Sequence, residues 1–225
     1  MPRAGAAFAA ATGLAALAVA ALDTRALALG LLLAGVAVIA GAVAWLESGP
    51  DHAREIVVVA TISAVAAIGH VVLHPLPGVQ PVTLIVVATG AALGARAGVA
   101  VGLVSAFVSN FALGQGPWTV WQMLAWGLCG AVGAALAPVL TRRTVFAIVL
   151  GLLGLAFSGF LDVWSWSAYY DQHTWSTFAA NAARGFPFDV AHAVGNVVFA
   201  LLAGPELLRL LERYGRRLRT EVVWA

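Results

Sequence analysis

Between Gly114 and Gly127 the chain places Trp118, Trp121 and Trp126 beside Gln115 and Gln122, after a Gly116-Pro117 break. Indole rings stack on flat ligands, and carboxamides donate and accept hydrogen bonds at once. Such a set binds a small molecule rather than cleaving one. Helix-breaking backbone between apolar segments is tolerated where it lines a cavity, so this break is read as the mouth of a pocket. Asn110, near the end of the preceding segment, and Gln80, in an earlier break, offer further amides. Trp164, Trp166, Tyr169, Tyr170, Asp171, His173 and Trp175 form a second aromatic group downstream.

Asp189, His192 and Asn196 stand at i, i+3 and i+7 in the last apolar segment, so they share one helix face. A carboxylate inside a span is costly unless it meets a cavity or a partner. The face is read either as the floor of the pocket or as an Asp–His pair locking the helix. His70 and His74, one turn apart, are too few for a metal site, and none is expected. The chain contains no HExxH and no GxSxG, and lacks the recurring intramembrane charge pairs of a proton-coupled pump. No enzyme and no cofactor is expected.

The elements that must hold these residues are membrane spans. Apolar residues make up 62% of 225 positions and charged residues 10%. Runs near 5–22, 26–46, 55–74, 81–95, 97–113, 119–138, 144–162 and 187–204 approach the ~20 residues that cross a bilayer. The first two are read as an uncleaved hairpin around Asp23-Thr24-Arg25. The stretch 164–185 is expected to be a long aromatic loop, and the chain from Glu206 a basic tail. Cys129, the single cysteine, lies within a run and excludes disulfides.

All twelve basic residues are arginine, so no Walker A lysine exists and any ATP hydrolysis must belong to another chain. With both termini in the cytoplasm, ten arginines fall inside and only Arg25 and Arg184 outside, the expected bias. That topology gathers loops 74–80, 114–118 and 164–185 on the outer face. Small residues recur every fourth position at Gly94, Gly98, Gly102 and Ala106, again at Gly130 and Ala134, and at Ala60 and Ala64. Each series predicts close helix contact.

The block from Arg54 to Pro138 resembles the substrate-binding S components of energy-coupling factor (ECF) vitamin transporters. The resemblance rests on Ala60-xxx-Ala64, Pro77-Gly78-Val79-Gln80-Pro81-Val82-Thr83, Ser109-Asn110-Phe111 and the Gly114 to Gly127 run. It implies a six-helix bundle that captures a vitamin at its outer face in the bacterial cytoplasmic membrane. Such a subunit works with a membrane T component and two cytoplasmic ATPases, and Ala60 and Ala64 would meet the T component. The tryptophan-rich motif looks most like cobalamin-type S components, which implies a corrinoid ligand. Candidate ligand contacts are Gln80, Asn110, Gln115, Trp118, Trp121, Gln122, Trp126, Trp164, Tyr169, His173, Asp189 and His192.

Two departures stand out: Val120 occupies a position where many relatives carry proline, and an extra two-helix hairpin precedes the block. The expected organisation is thus a hairpin over 1–50, a six-helix binding domain over 51–205 and a basic tail over 206–225. Lipid is an expected partner and nucleic acid is not. The other readings are an S component for a different vitamin or nucleobase precursor, and a structural or assembly membrane protein.

Overall fold

The computed structural model describes residues 27–47 and 52–219. The run 5–22 of the expected hairpin lies outside the described residues, as does the end of the tail. Described residues form seven helices and no strand: α1 Leu27–Glu47, α2 His52–Leu73, α3 Val82–Leu93, α4 Ala95–Leu113, α5 Trp118–Ala135, α6 Arg143–Tyr169 and α7 Trp175–Arg219. The fold is therefore an all-α bundle, with four helices long and apolar enough to cross a membrane.

At its 12 residues, α3 extends only about 18 Å, less than the ~30 Å hydrocarbon core. It is tolerated because it does not face lipid. It packs against α2, α4, α5, α6 and α7, and eight of its residues are buried. A single residue, Gly94, turns α3 back into α4 with φ 96° and ψ 168°, a region essentially closed to residues with a Cβ. A Cβ on Gly94 would meet nothing within 4 Å, so this glycine serves the turn and not the packing face. The break thus falls at Gly94 rather than at Arg96.

Gly90 and Gly98 flank the turn, and a Cβ on Gly98 would lie 2.6 Å from the Gly90 Cα. Gly130 of α5 closes on both: its carbonyl abuts Gly90, and a Cβ on Gly130 would overlap the backbone of Gly98. A Cβ on Gly102 would lie 2.5 Å from the Trp126 carbonyl. Three helices therefore touch backbone to backbone, and Trp126 is held by that contact. α1 lies along α5, α4 and α6, with Gly35 opposite Val120 and Leu124.

Two expectations are corrected. The aromatic stretch 164–185 is helical except for 170–174, because α6 runs on to Tyr169 and α7 starts at Trp175. Thr174 caps that start: its Oγ1 accepts from the Thr177 N–H at 3.3 Å, and Thr177 Oγ1 accepts from the Thr174 N–H at 3.1 Å. Nor does the chain leave the bundle at Glu206, since α7 continues to Arg219 through Pro187 and Pro205. By helix alternation, segments 74–81, 114–117 and 170–174 share one end of the bundle.

Candidate functional site

α5 and α6 run antiparallel and meet through aromatic pairs rather than close backbone. Nearest the loops, Trp118 faces Trp164 with ring centres 6.0 Å apart. One turn deeper, Trp121 meets Phe160 at 4.8 Å. Deeper still, Trp126 stacks on Phe157 at 4.8 Å with 28° between planes. The positions 118, 121 and 126 descend as 164, 160 and 157 do, so the rungs form a ladder from the mouth into the core. Phe157 and Phe160 carried no distinguishing signal within their apolar run.

The lowest rung joins five helices. The Trp126 indole N–H donates to Thr83 Oγ1 of α3 at 3.2 Å, and the His70 ring of α2 stands edge-on at 5.2 Å. The Ser109 hydroxyl donates to Ala106 O, so His70 Nδ1–H donates to Ser109 Oγ at 2.9 Å. His70 is thus engaged in packing, while His74 is exposed. Among the described residues no three His, Cys, Asp or Glu side chains gather as metal ligands.

From α7, His192 reaches within 5.1 Å of the Phe157 ring. Its Nδ1–H donates to Gly78 O at 2.8 Å, and Nε2 accepts from Asn196 Nδ2 at 3.2 Å. Those partners define the tautomer. The Gln80 amide lies 3.4 Å from the same Nδ1. Gly78 has φ 76°, and a Cβ there would lie 2.7 Å from Phe188 O, so segment 74–81 rests directly on α7.

The amide group near the mouth is spent largely on itself. Asn110 Nδ2 donates to Thr119 Oγ1 at 2.9 Å and to Gln122 Oε1 at 2.7 Å. The Thr119 hydroxyl donates to Gln115 Oε1 at 2.9 Å, and Gln115 Nε2 donates to Phe107 O at 2.8 Å. The network locks the 114–117 turn and so aims Trp118 and Trp121. Thr119, its centre, went unnoticed in the sequence because it lies between tryptophans that draw the eye.

Asp189 is not paired with His192. It sits instead with Asp162 of α6 about Gly185, where a Cβ would lie 3.0 Å from Asp162 Oδ1 and 3.6 Å from Asp189 Oδ2. Asn181 Nδ2 donates to Asp162 O at 3.1 Å and to Ser165 Oγ at 2.8 Å. His173 belongs to a separate aromatic group: its ring is edge-on to Trp166 at 4.9 Å, and Trp166 Nε1 donates to Thr177 Oγ1. Tyr169 is exposed and touches Trp164 at 5.5 Å. The structure therefore brings together Trp118, Trp121, Trp126, Trp164, His192 and Gln80, and adds Phe157, Phe160 and Asn196. His173 stands apart, and Asp189 meets α6 at Ser158 and Asp162 without touching a rung.

Two buried polar atoms in this region have no hydrogen-bond partner among the described residues: Trp121 Nε1, a donor, and Asn196 Oδ1, an acceptor. Trp121 is 5% exposed and Asn196 fully buried. Groups so placed carry the full cost of desolvation unless something else satisfies them. A separate apolar niche of about 120 Å³, lined by Val43, Leu103, Phe107 and Met123 among others, lies between α1, α4 and α5. It holds no polar group. Ala60 and Ala64 lie on the exposed side of α2.

The family described as ECF-type riboflavin transporter, S component, matches the chain over residues 51–213, more than two thirds of its length. No curated protein and no solved structure matches it significantly. The matched stretch begins at α2, so α1 and the residues before it lie outside it.

Proposed function

The chain belongs to the ECF-type riboflavin transporter S-component family, a transporter class and not an enzyme class, and from that premise we propose that it captures riboflavin or a close flavin for import. The observation that carries this reading is the aromatic seam between α5 and α6, with the unsatisfied Trp121 Nε1 on the seam and the unsatisfied Asn196 Oδ1 facing α6 from α7. An isoalloxazine is a flat heteroaromatic whose edge alternates carbonyl acceptors with an N–H donor. Its faces suit Trp121, Phe160 and Phe157. Its edge offers an acceptor to the Trp121 indole N–H and a donor to Asn196 Oδ1. A corrinoid, the ligand first expected, is several times larger, and its amide arms would have to compete with the turn for Asn110 and Gln115.

The deciding experiment is chromophore retention. Detergent-solubilised protein is mixed with riboflavin or with cobalamin, desalted, and read by visible absorbance and flavin fluorescence. Near-stoichiometric flavin with quenched fluorescence is the expected result, since stacking on indole quenches flavin emission. Retained corrin with no retained flavin restores the corrinoid reading. Retention of neither favours a structural or assembly role.

Inward delivery in this reading uses a membrane T component and two ATPases, with both termini cytoplasmic. Ala60 and Ala64 form the contact with the T component. Both are small and exposed on α2, with Ile56, Val57, Val65 and Ile68 around them, a surface that admits close approach of another helix. Ala60→Leu should leave flavin retention unchanged and lower uptake into vesicles carrying the whole complex by about tenfold, equivalent to ~1.4 kcal/mol of docking energy. Undiminished uptake would place the docking face elsewhere.

A further inference from the structure

Pro205 lies inside α7 and has no N–H, so the carbonyl of Leu201 loses its helical partner. Arg143, at the start of α6, replaces it. One guanidinium N–H donates to Leu201 O and another to the Glu206 carboxylate. Arg209 closes on the same carboxylate at 3.1 Å and donates Nε–H to Pro205 O at 3.2 Å. The helix is thereby carried past the proline in a set direction.

Beyond this clamp the helix has two unlike faces. Gly204, Leu208, Leu211 and Gly215 recur at helical spacing and are buried, the two leucines in one core with Leu140 and Phe146. The other face exposes Arg209, Arg213, Arg216 and Arg217, with Leu210 61% and Tyr214 44% exposed among them. Residues 206–217 carry four arginines against Glu206 and Glu212, so the segment is net positive by two charges. Leu210 and Tyr214, one turn apart, add an apolar stripe. Arginines flanking such a stripe, on a helix continuous with a membrane span, match the headgroup–acyl boundary of an anionic leaflet.

We propose that the exposed face of residues 206–217 lies on anionic phospholipid headgroups, with Arg213 and Arg217 on the phosphates and Leu210 and Tyr214 at the acyl boundary. The proposal rests on the reading of the chain as an S component whose arginine-rich end is cytoplasmic. Charge complementarity selects this occupant, and each juxtamembrane arginine should favour the anionic surface by about fivefold.

The test uses the full chain in nanodiscs of phosphatidylcholine alone or mixed with phosphatidylglycerol, and reads backbone hydrogen exchange across 206–217. Exchange should slow by about tenfold in the anionic discs. High salt should remove the difference, as should the double variant Arg213→Gln/Arg217→Gln. Equal exchange in the two lipids would overturn the proposal. Protection that appears only when a T component and ATPases are added would overturn it in favour of a protein partner. Flavin retention on the same discs reports separately on substrate capture, so a protein that holds flavin but ignores phosphatidylglycerol loses this proposal alone.

Discussion

Gly130→Ala should cost at least about 3 kcal/mol of stability, the upper end of the usual range for overpacking. Most overpacked positions recover by turning a neighbouring side chain into a new rotamer. Here the added methyl would overlap the Gly98 carbonyl, and the Gly130 carbonyl itself already abuts Gly90. Backbone on both sides leaves no rotamer to adjust, so α5 must lift off α3 and α4 together. For a domain of total stability roughly 5–15 kcal/mol, that is a large fraction. In a detergent melt the midpoint should fall by roughly 6–12 °C.

Gly159→Ala supplies the opposite sign. A Cβ there meets nothing within 4 Å and Gly159 lies in mid-α6, so helix propensity should stabilise the variant by up to about 1 kcal/mol. Equal melting of Gly130→Ala and the parent would mean that the three-helix contact contributes nothing to the fold.

Hydropathy made most of the bundle legible, because lipid selects on composition over a window wider than any local irregularity. Seven of the eight expected runs coincide with described helices, and the run 5–22 falls outside them. The errors cluster where that selection stops. Between Trp164 and Gly185 the residues are mixed in polarity, and a water-exposed helix end reads like a loop. The signal available was Thr174-xx-Thr177, a reciprocal cap of the kind that opens a helix. The expected run 187–204 stops just before Pro205, yet α7 continues through it, because a proline ends a helix only when its orphaned carbonyl finds no substitute. Arg143 is that substitute, and it stands 62 positions earlier.

The aromatic ladder was legible on one of its walls. Tryptophans at 118, 121 and 126 are rare enough in an apolar segment to announce themselves, and the ladder uses all three. On the opposite wall Trp164 was equally visible, but the two deeper rungs are Phe160 and Phe157, whose spacing in α6 differs in no way from that of a lipid-facing residue. The i, i+3, i+7 spacing put Asp189, His192 and Asn196 on one face, yet a face as wide as a cavity-lining stripe spans two environments. All three meet α6, but at different depths: Asn196 lies against Gly154 and His192 against Phe157, while Asp189 lies nearer the mouth beside Asp162. Amides proved the least readable group. Asn110 and Gln115 have the type of ligand contacts, but Asn110 donates to the Thr119 and Gln122 side chains and Gln115 to the Phe107 carbonyl of α4.

Trp121→Ala should lower flavin affinity about 100-fold, or ~2.8 kcal/mol, while the unliganded protein keeps its helical circular dichroism. The loss combines a stacking contribution of about 0.5–1.5 kcal/mol with the apolar area of one ring face no longer covered. Trp121→Phe separates the two roles of the indole. It keeps a ring against Phe160 and deletes the N–H that has no partner among the described residues, together with the part of the indole that a phenyl ring does not replace. If a flavin carbonyl accepts from that N–H, Trp121→Phe should cost about tenfold, the scale of one net hydrogen bond. A Phe variant that binds like the parent, beside an Ala variant that does not, would keep the stacked ring and remove the carbonyl contact. Undiminished affinity in Trp121→Ala would move the ligand off the α5–α6 seam altogether, because among the described residues no other aromatic ring pairs with Phe160 at the ladder's middle rung.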